Sequence, residues 1–113
     1  MTEPLTIYVN DQPVYDHDRD TVLDDRQEAF LDRMDLDMNR GVKMNGVLHE
    51  HPDARQRQTF VAMNLLNALR QDNPAKIAVA CAYLTQRRPQ LREVRAYDHE
   101  QGVMVELVDQ QDA

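Results

Sequence analysis

Residues 74–88 read PAKIAVACAYLTQRR, and this stretch decides the fold because its apolar residues fall on every side of a helical wheel. A helix that is apolar all round is typical of the interior of a domain. Asn73 suits the N-cap, and Pro74 suits the first helical position, where no amide hydrogen is needed. Pro89 ends the helix. We therefore predict a central, buried helix over 74–88, whose alanines leave room for the close approach of a neighbouring helix.

Alternating apolar and polar residues flank this helix at both ends of the chain. The pattern over 5–9 predicts a strand. Pro13 puts the strand that follows it, at 14–15, on a sheet edge or makes it very short. A second alternation runs through 92–96 and resumes at 103–107 after a loop. These patterns predict an N-terminal and a C-terminal β-hairpin, which we expect to pair into one small antiparallel sheet against the helices.

Two further helices precede the central one. The first is predicted to begin at a cap within 18–21 and to end near Met38, with one apolar and one acidic flank. The second is predicted over 54–71, with Asp53 as its cap. Between them, Asn45-Gly46 is the commonest two-residue hairpin turn, although an irregular loop fits the flanking residues equally well.

The predicted fold class is therefore α+β, with three helices and two terminal hairpins. The 113 residues suit a single domain spanning 1–113. Cys81 is the only cysteine and lies on an apolar stripe of the central helix, which indicates a buried, inert thiol. An internal disulfide is excluded.

The net charge of −7 disfavours nucleic acid as a partner, because neutralisation of phosphates by Lys and Arg supplies most non-specific affinity. The charge is also segregated. Residues 16–37 hold nine acids and three bases, whereas 40–95 hold ten bases and four acids.

The sequence contains no signal-peptide pattern and no apolar run of membrane-spanning length, so a cytoplasmic protein without a membrane partner is expected.

The sequence offers little that is typical of an enzyme. It contains no serine and no glycine-rich phosphate loop, which excludes two common kinds of active site. His49, Glu50 and His51 are the most metal-like cluster, with His17 and His99 as remote contributors. Their spacing is not the His-Glu-x-x-His of a zinc protease, so no cofactor is predicted. A small enzyme or metal-binding protein that uses this cluster is the alternative function.

One face of the 54–71 helix lies outside its core stripe and carries an aromatic residue, a methionine and two amides. At 100° per residue this face contains Phe60, Met63, Asn64 and Asn67, with Arg57 and Arg70 near its edges. Such a composition is typical of an interface. We therefore predict a non-enzymatic protein-interaction or regulatory domain, with a protein partner or a second copy on this face. The competing interpretation is that a hairpin of the same chain covers Phe60.

Overall fold

The computed structural model describes residues 3–19, 23–100 and 102–110. Its elements follow one another in the order β1 (Leu5–Val9), β2 (Gln12–His17), α1 (Asp25–Met38), β3 (Val42–Met44), β4 (Val47–His49), α2 (Ala54–Arg70), α3 (Pro74–Arg87), β5 (Leu91–His99) and β6 (Gly102–Asp109). This arrangement confirms the α+β class and the three helices.

As predicted, the two terminal hairpins form one sheet, and its strand order is β2-β1-β5-β6. The expectation that this sheet is antiparallel is wrong for its central pair. Within each hairpin the strands are antiparallel, whereas the central pair of β1 with β5 is parallel, from Thr6 opposite Glu93 to Val9 opposite Ala96. The parallel pair arises because all three helices lie between these strands and return the chain to the end at which β1 began. Pro13 lies in the edge strand β2, as expected for a residue that cannot donate to a ladder.

The core lies between one face of this sheet and the helices α2 and α3. The sheet contributes Leu5, Ile7 and Val94, all fully buried, and α2 contributes Leu65. On the opposite face, the Arg95 guanidinium stacks 4.2 Å from the centre of the Tyr8 ring. The sheet is therefore apolar on the helical side and polar and aromatic on the other, which is usual for a sheet packed on one face only.

The predicted start of α1 is wrong. The helix begins at Asp25, and its cap is Asp24 rather than a residue within 18–21; of the predicted caps, Asp20 and Thr21 lie outside the described residues. The Asp24 carboxylate accepts a hydrogen bond of 2.8 Å from the Gln27 amide, and the Gln27 side chain accepts one of 3.0 Å from the Asp24 amide. This capping box provides acceptors for the backbone amides of Asp24 and Gln27. If the helix began earlier, these amides would need other acceptors.

The segment between α1 and α2 is a two-stranded hairpin, which resolves the alternative left open by the sequence. Asn45 and Gly46, the two turn residues, both have positive φ, 50° and 82°. This conformation matches the right-handed twist of the flanking strands, and it favours asparagine followed by glycine. A second capping box, between Asp53 and Gln56, starts α2 at the predicted place.

The helix α3 is central, as predicted, and its surface divides into two sides. Ile77, Cys81, Leu84 and Tyr83 are buried against the sheet and the other helices. The opposite side is apolar as well, but there its alanines are exposed or half-buried. Within the residues that the structure describes, the fold therefore covers one side of this most apolar helix and leaves the other partly open.

An ionic cluster attaches α1 to the other helices. Arg87 Nε donates to Asp35 Oδ2 at 3.0 Å, and the Tyr83 hydroxyl donates to the same carboxylate. Arg57 Nη1 lies 3.5 Å from Asp35 Oδ1, and Arg87 also reaches Asp32 at 2.9 Å. Burial raises the pKa of Tyr83, and its hydrogen bond to Asp35 raises the pKa further. Part of the acidic segment is thus neutralised by the basic segment within the fold.

Replacing Asp35 by alanine should destabilise the protein by about 2 kcal/mol, because it leaves two guanidinium groups and a buried hydroxyl without their shared acceptor. The matched control is Glu28→Ala, an exposed acid on the same helix, which should change stability by about 0.5 kcal/mol or less. Urea unfolding followed by circular dichroism measures both values. Equal effects of the two substitutions would show that the cluster does not hold α1.

Candidate interaction surface

An open groove runs along the exposed side of α3, between this helix and α1. Its floor consists of Ala78, Val79 and Ala82, and α1 supplies Phe30 and Leu31 as one wall. The groove encloses about 280 Å³ and is lined mainly by apolar atoms. Phe30 is 52% exposed, so a large ring stands at its edge largely in solvent.

Beyond Phe30 the groove continues into a wider depression of about 570 Å³ that reaches α2. Phe30 and Val79 line both parts, so the two form one continuous surface, which we call the α3 groove. In the wider part its floor is extended by Ala75, and Asn64 and Asn67 of α2 form the far wall. An apolar strip thus ends at two amides that can hydrogen-bond across an interface.

Polar groups surround the narrow end of the groove. His17 and Arg26 both line it, together with the half-buried Thr85. Burial lowers the pKa of His17, against the opposing effect of the neighbouring Asp18 carboxylate. A neutral imidazole is therefore favoured at this end, which keeps the groove compatible with apolar contacts.

The wheel of α1 places charged residues beside Phe30. At 100° per residue, Arg26 lies about 40° and Asp37 about 20° from Phe30. Within the ranges 3–19, 23–100 and 102–110, neither residue makes an ion pair, whereas Asp32 and Asp35 on the inner side of the helix are paired. The outward side of α1 therefore presents opposite charges that the fold itself does not neutralise.

The structure brings two of the six residues predicted for an interaction face to this groove. Asn64 and Asn67 are exposed and line it. Phe60 is half-buried and packs against the core of its own chain, and Met63 is half-buried outside the groove. The two arginines are engaged internally: Arg57 donates to the Pro52 carbonyl and Asn39 and approaches Asp35, and Arg70 pairs with Asp98 at 2.6 Å.

The metal-like cluster does not converge. His49 Nδ1 lies 3.2 Å from Gln56 Nε2, while Glu50 and His51 are exposed beyond the end of β4. Across the described part of the chain, no three His, Cys, Asp or Glu side chains are placed to share a metal ion. The histidine cluster thus gains no support as a site from the geometry.

Phe30 and the outward alanines of α3 were not predicted to be groove residues. The helical wheel places Phe30 on the apolar flank of α1, where burial is expected. The available signal was the surplus of apolar surface on α3, which exceeds what the narrow apolar flank of α1 can cover. A sequence alone does not show how far α1 is rotated about its axis, and that rotation decides which residue stands in solvent.

Comparisons with protein-family models, with curated proteins and with solved structures find no significant match. Among the helices described, none is long and apolar enough to cross a membrane. The fold and its surface therefore define the class of the protein as a small α+β domain with a partly covered apolar helix.

Cys81 should not react while the protein is folded. Its side chain is fully buried, as predicted, and burial raises the pKa of the thiol to about 12, so the nucleophilic thiolate is scarce at neutral pH. Labelling with a chromogenic disulfide reagent should be slow in buffer and complete within minutes in concentrated denaturant. Fast labelling of the native protein would reopen a role for this thiol.

Proposed function

We propose that the protein is a non-enzymatic interaction domain that associates with a second copy of itself through the α3 groove. The observation that carries the proposal is the exposed Phe30 ring beside a floor of alanines. A surface that holds both a projecting ring and a shallow floor of small residues can pair with its own copy about a two-fold axis. The predicted face of α2 contributes to this surface through Asn64 and Asn67.

The shapes on the two sides of the groove favour such pairing. A two-fold axis beside Phe30 allows each ring to enter the groove of the other copy, above Ala78 and Ala82. Small side chains permit the close approach of helices, and a buried aromatic residue is a common energetic centre of an interface. Val79, which is half-buried in the monomer, would lie under the incoming ring.

The charges beside Phe30 support an antiparallel arrangement of the two α1 helices. Arg26 and Asp37 lie about three helical turns apart on the same side of the helix. In an antiparallel pair, Arg26 of each copy meets Asp37 of the other, which gives two ion pairs from one surface. Such pairs fix orientation more than they add affinity.

Phe30→Ala should weaken self-association by about 30-fold, because the symmetric pair loses two aromatic contacts of about 1 kcal/mol each. Leu36→Ala is the matched control, because Leu36 is 65% exposed and lies about 120° around the same helix. Sedimentation velocity at several concentrations measures both. A monomeric wild-type protein up to high micromolar concentration would contradict the proposal, and so would equal effects of the two substitutions.

A charge exchange tests the orientation separately. Arg26→Asp and Asp37→Arg should each weaken association by roughly fivefold, since each places like charges together. Combining the two substitutions in one chain should restore association to near the wild-type level, because the pairs re-form with reversed signs. Additive weakening in the double variant would rule out the antiparallel arrangement. Raised salt should reduce all of these differences.

A further inference from the structure

The edge strand β6 is already contacted by a side chain that imitates a neighbouring strand. Asn45, at the tip of the β3–β4 hairpin, donates from Nδ2 to the Val103 carbonyl at 3.0 Å. The Val103 amide donates back to Asn45 Oδ1 at 3.1 Å. These are the two backbone groups that an added strand would engage at this position.

Gly102 makes room for this contact. A Cβ atom built on Gly102 would lie 2.7 Å from Asn45 Cγ and would collide with Oδ1, so a larger residue would displace the asparagine. Gly102 also has a φ of 136°, which residues with side chains rarely adopt. The absence of a side chain at Gly102 therefore provides the space that the Asn45 amide occupies, which indicates a specific contact.

The next residues of β6 with outward backbone groups are Val105 and Leu107. Successive residues of a strand direct their backbone groups to alternate sides, so those of Val105 and Leu107 point outward like those of Val103. A hydrogen bond on β5 supports this assignment independently. The Ala96 carbonyl accepts from the Asn10 amide on the β1 side, and Ala96 lies opposite Val105 in the antiparallel pair. The backbone groups of Val105 therefore point away from β5. Across the described ranges, no residue hydrogen-bonds to the outward amides or carbonyls of Val105 and Leu107.

We infer that β6 is a strand-addition site, at which an extended peptide segment of another protein pairs with Val105 and Leu107 beyond the position held by Asn45. The charge on this edge selects the segment. Glu106 is exposed and has no ion pair in the part of the chain that the structure describes. Its cross-strand neighbour Arg95 is engaged with Glu93 at 2.8 Å. A lysine or arginine of the added segment, placed opposite Glu106, would therefore form an ion pair with this carboxylate.

This site shares no residue with the α3 groove, and the inference does not depend on self-association. A free, slightly apolar strand edge is the structural requirement for strand addition, and cross-strand pairs of opposite charge set register and preference. The segment recognised is thus short, extended and basic at one central position on the face that carries Glu106.

The probe is the synthetic peptide acetyl-Thr-Val-Lys-Val-Thr-amide, compared with the same peptide carrying glutamate in place of lysine. Titration into ¹⁵N-labelled protein should shift and protect from exchange the amides of Val105 and Leu107, with a dissociation constant on the order of millimolar. The glutamate peptide should bind roughly fivefold more weakly. In Glu106→Lys protein the order of the two peptides should reverse.

Val105→Pro removes the outward amide and should abolish peptide binding, whereas Val105→Thr keeps the amide and should bind as the wild type does. If the proline variant does not fold, the reversal in Glu106→Lys decides the question alone. Absence of shifts at Val105 and Leu107, or no reversal, would overturn the inference. Protection of these amides that rises with protein concentration without peptide would also overturn it, since the occupant would then be a second copy.

Discussion

The structure depends on a helix with more apolar surface than the described part of the chain covers. One side of α3 packs on the sheet and α2 through Ile77, Cys81 and Leu84, and this burial supplies much of the hydrophobic stabilisation of the domain. On the other side its main neighbour is α1, while His17 of β2 lines the narrow part of the groove and Asn64 and Asn67 of α2 line the wider part. Because α1 carries a narrow apolar flank, two of its residues, Leu31 and Met38, are fully buried, and an open groove remains.

The position of α1 is set by charge as much as by apolar contact. Asp35 accepts from Tyr83 and Arg87 and lies near Arg57, so one carboxylate joins all three helices. The opposing charges of the two segments are thereby brought together at the inner side of α1. This attachment fixes the rotation of the helix, and the rotation in turn places Phe30 at the groove instead of in the core. A local ionic constraint thus determines which apolar residue faces outward.

Much of the fold could be predicted from local signals. The caps of α2 and α3, the Asn45-Gly46 turn and the burial of Cys81 each depend on residues close in sequence or on one helical wheel. The start of α1 was misplaced because several acids upstream are equally good caps, whereas the capping box is formed by Asp24 with Gln27.

Apart from the joining of the two terminal hairpins into one sheet, features that link distant segments could not be predicted. The parallel pairing of β1 with β5 depends on how three helices return the chain, and the contact of Asn45 with Val103 joins residues 58 positions apart. The interaction face predicted on α2 was derived from one wheel, which cannot show that Arg57 and Arg70 have acidic partners on other elements. The tertiary partner of a side chain decides its role, and a single helical wheel does not show that partner.

The central claim is that the exposed side of α3 is completed by a second copy of the chain. The most direct measurement is an isotope-filtered NOE experiment on an equimolar mixture of ¹³C-labelled and unlabelled protein, which detects contacts between copies only. The account predicts intermolecular NOEs from the Phe30 ring of one copy to the methyl groups of Ala78, Val79 and Ala82 of the other. Intermolecular NOEs that involve other surfaces, with none at Phe30 under conditions where the protein is dimeric, would contradict it.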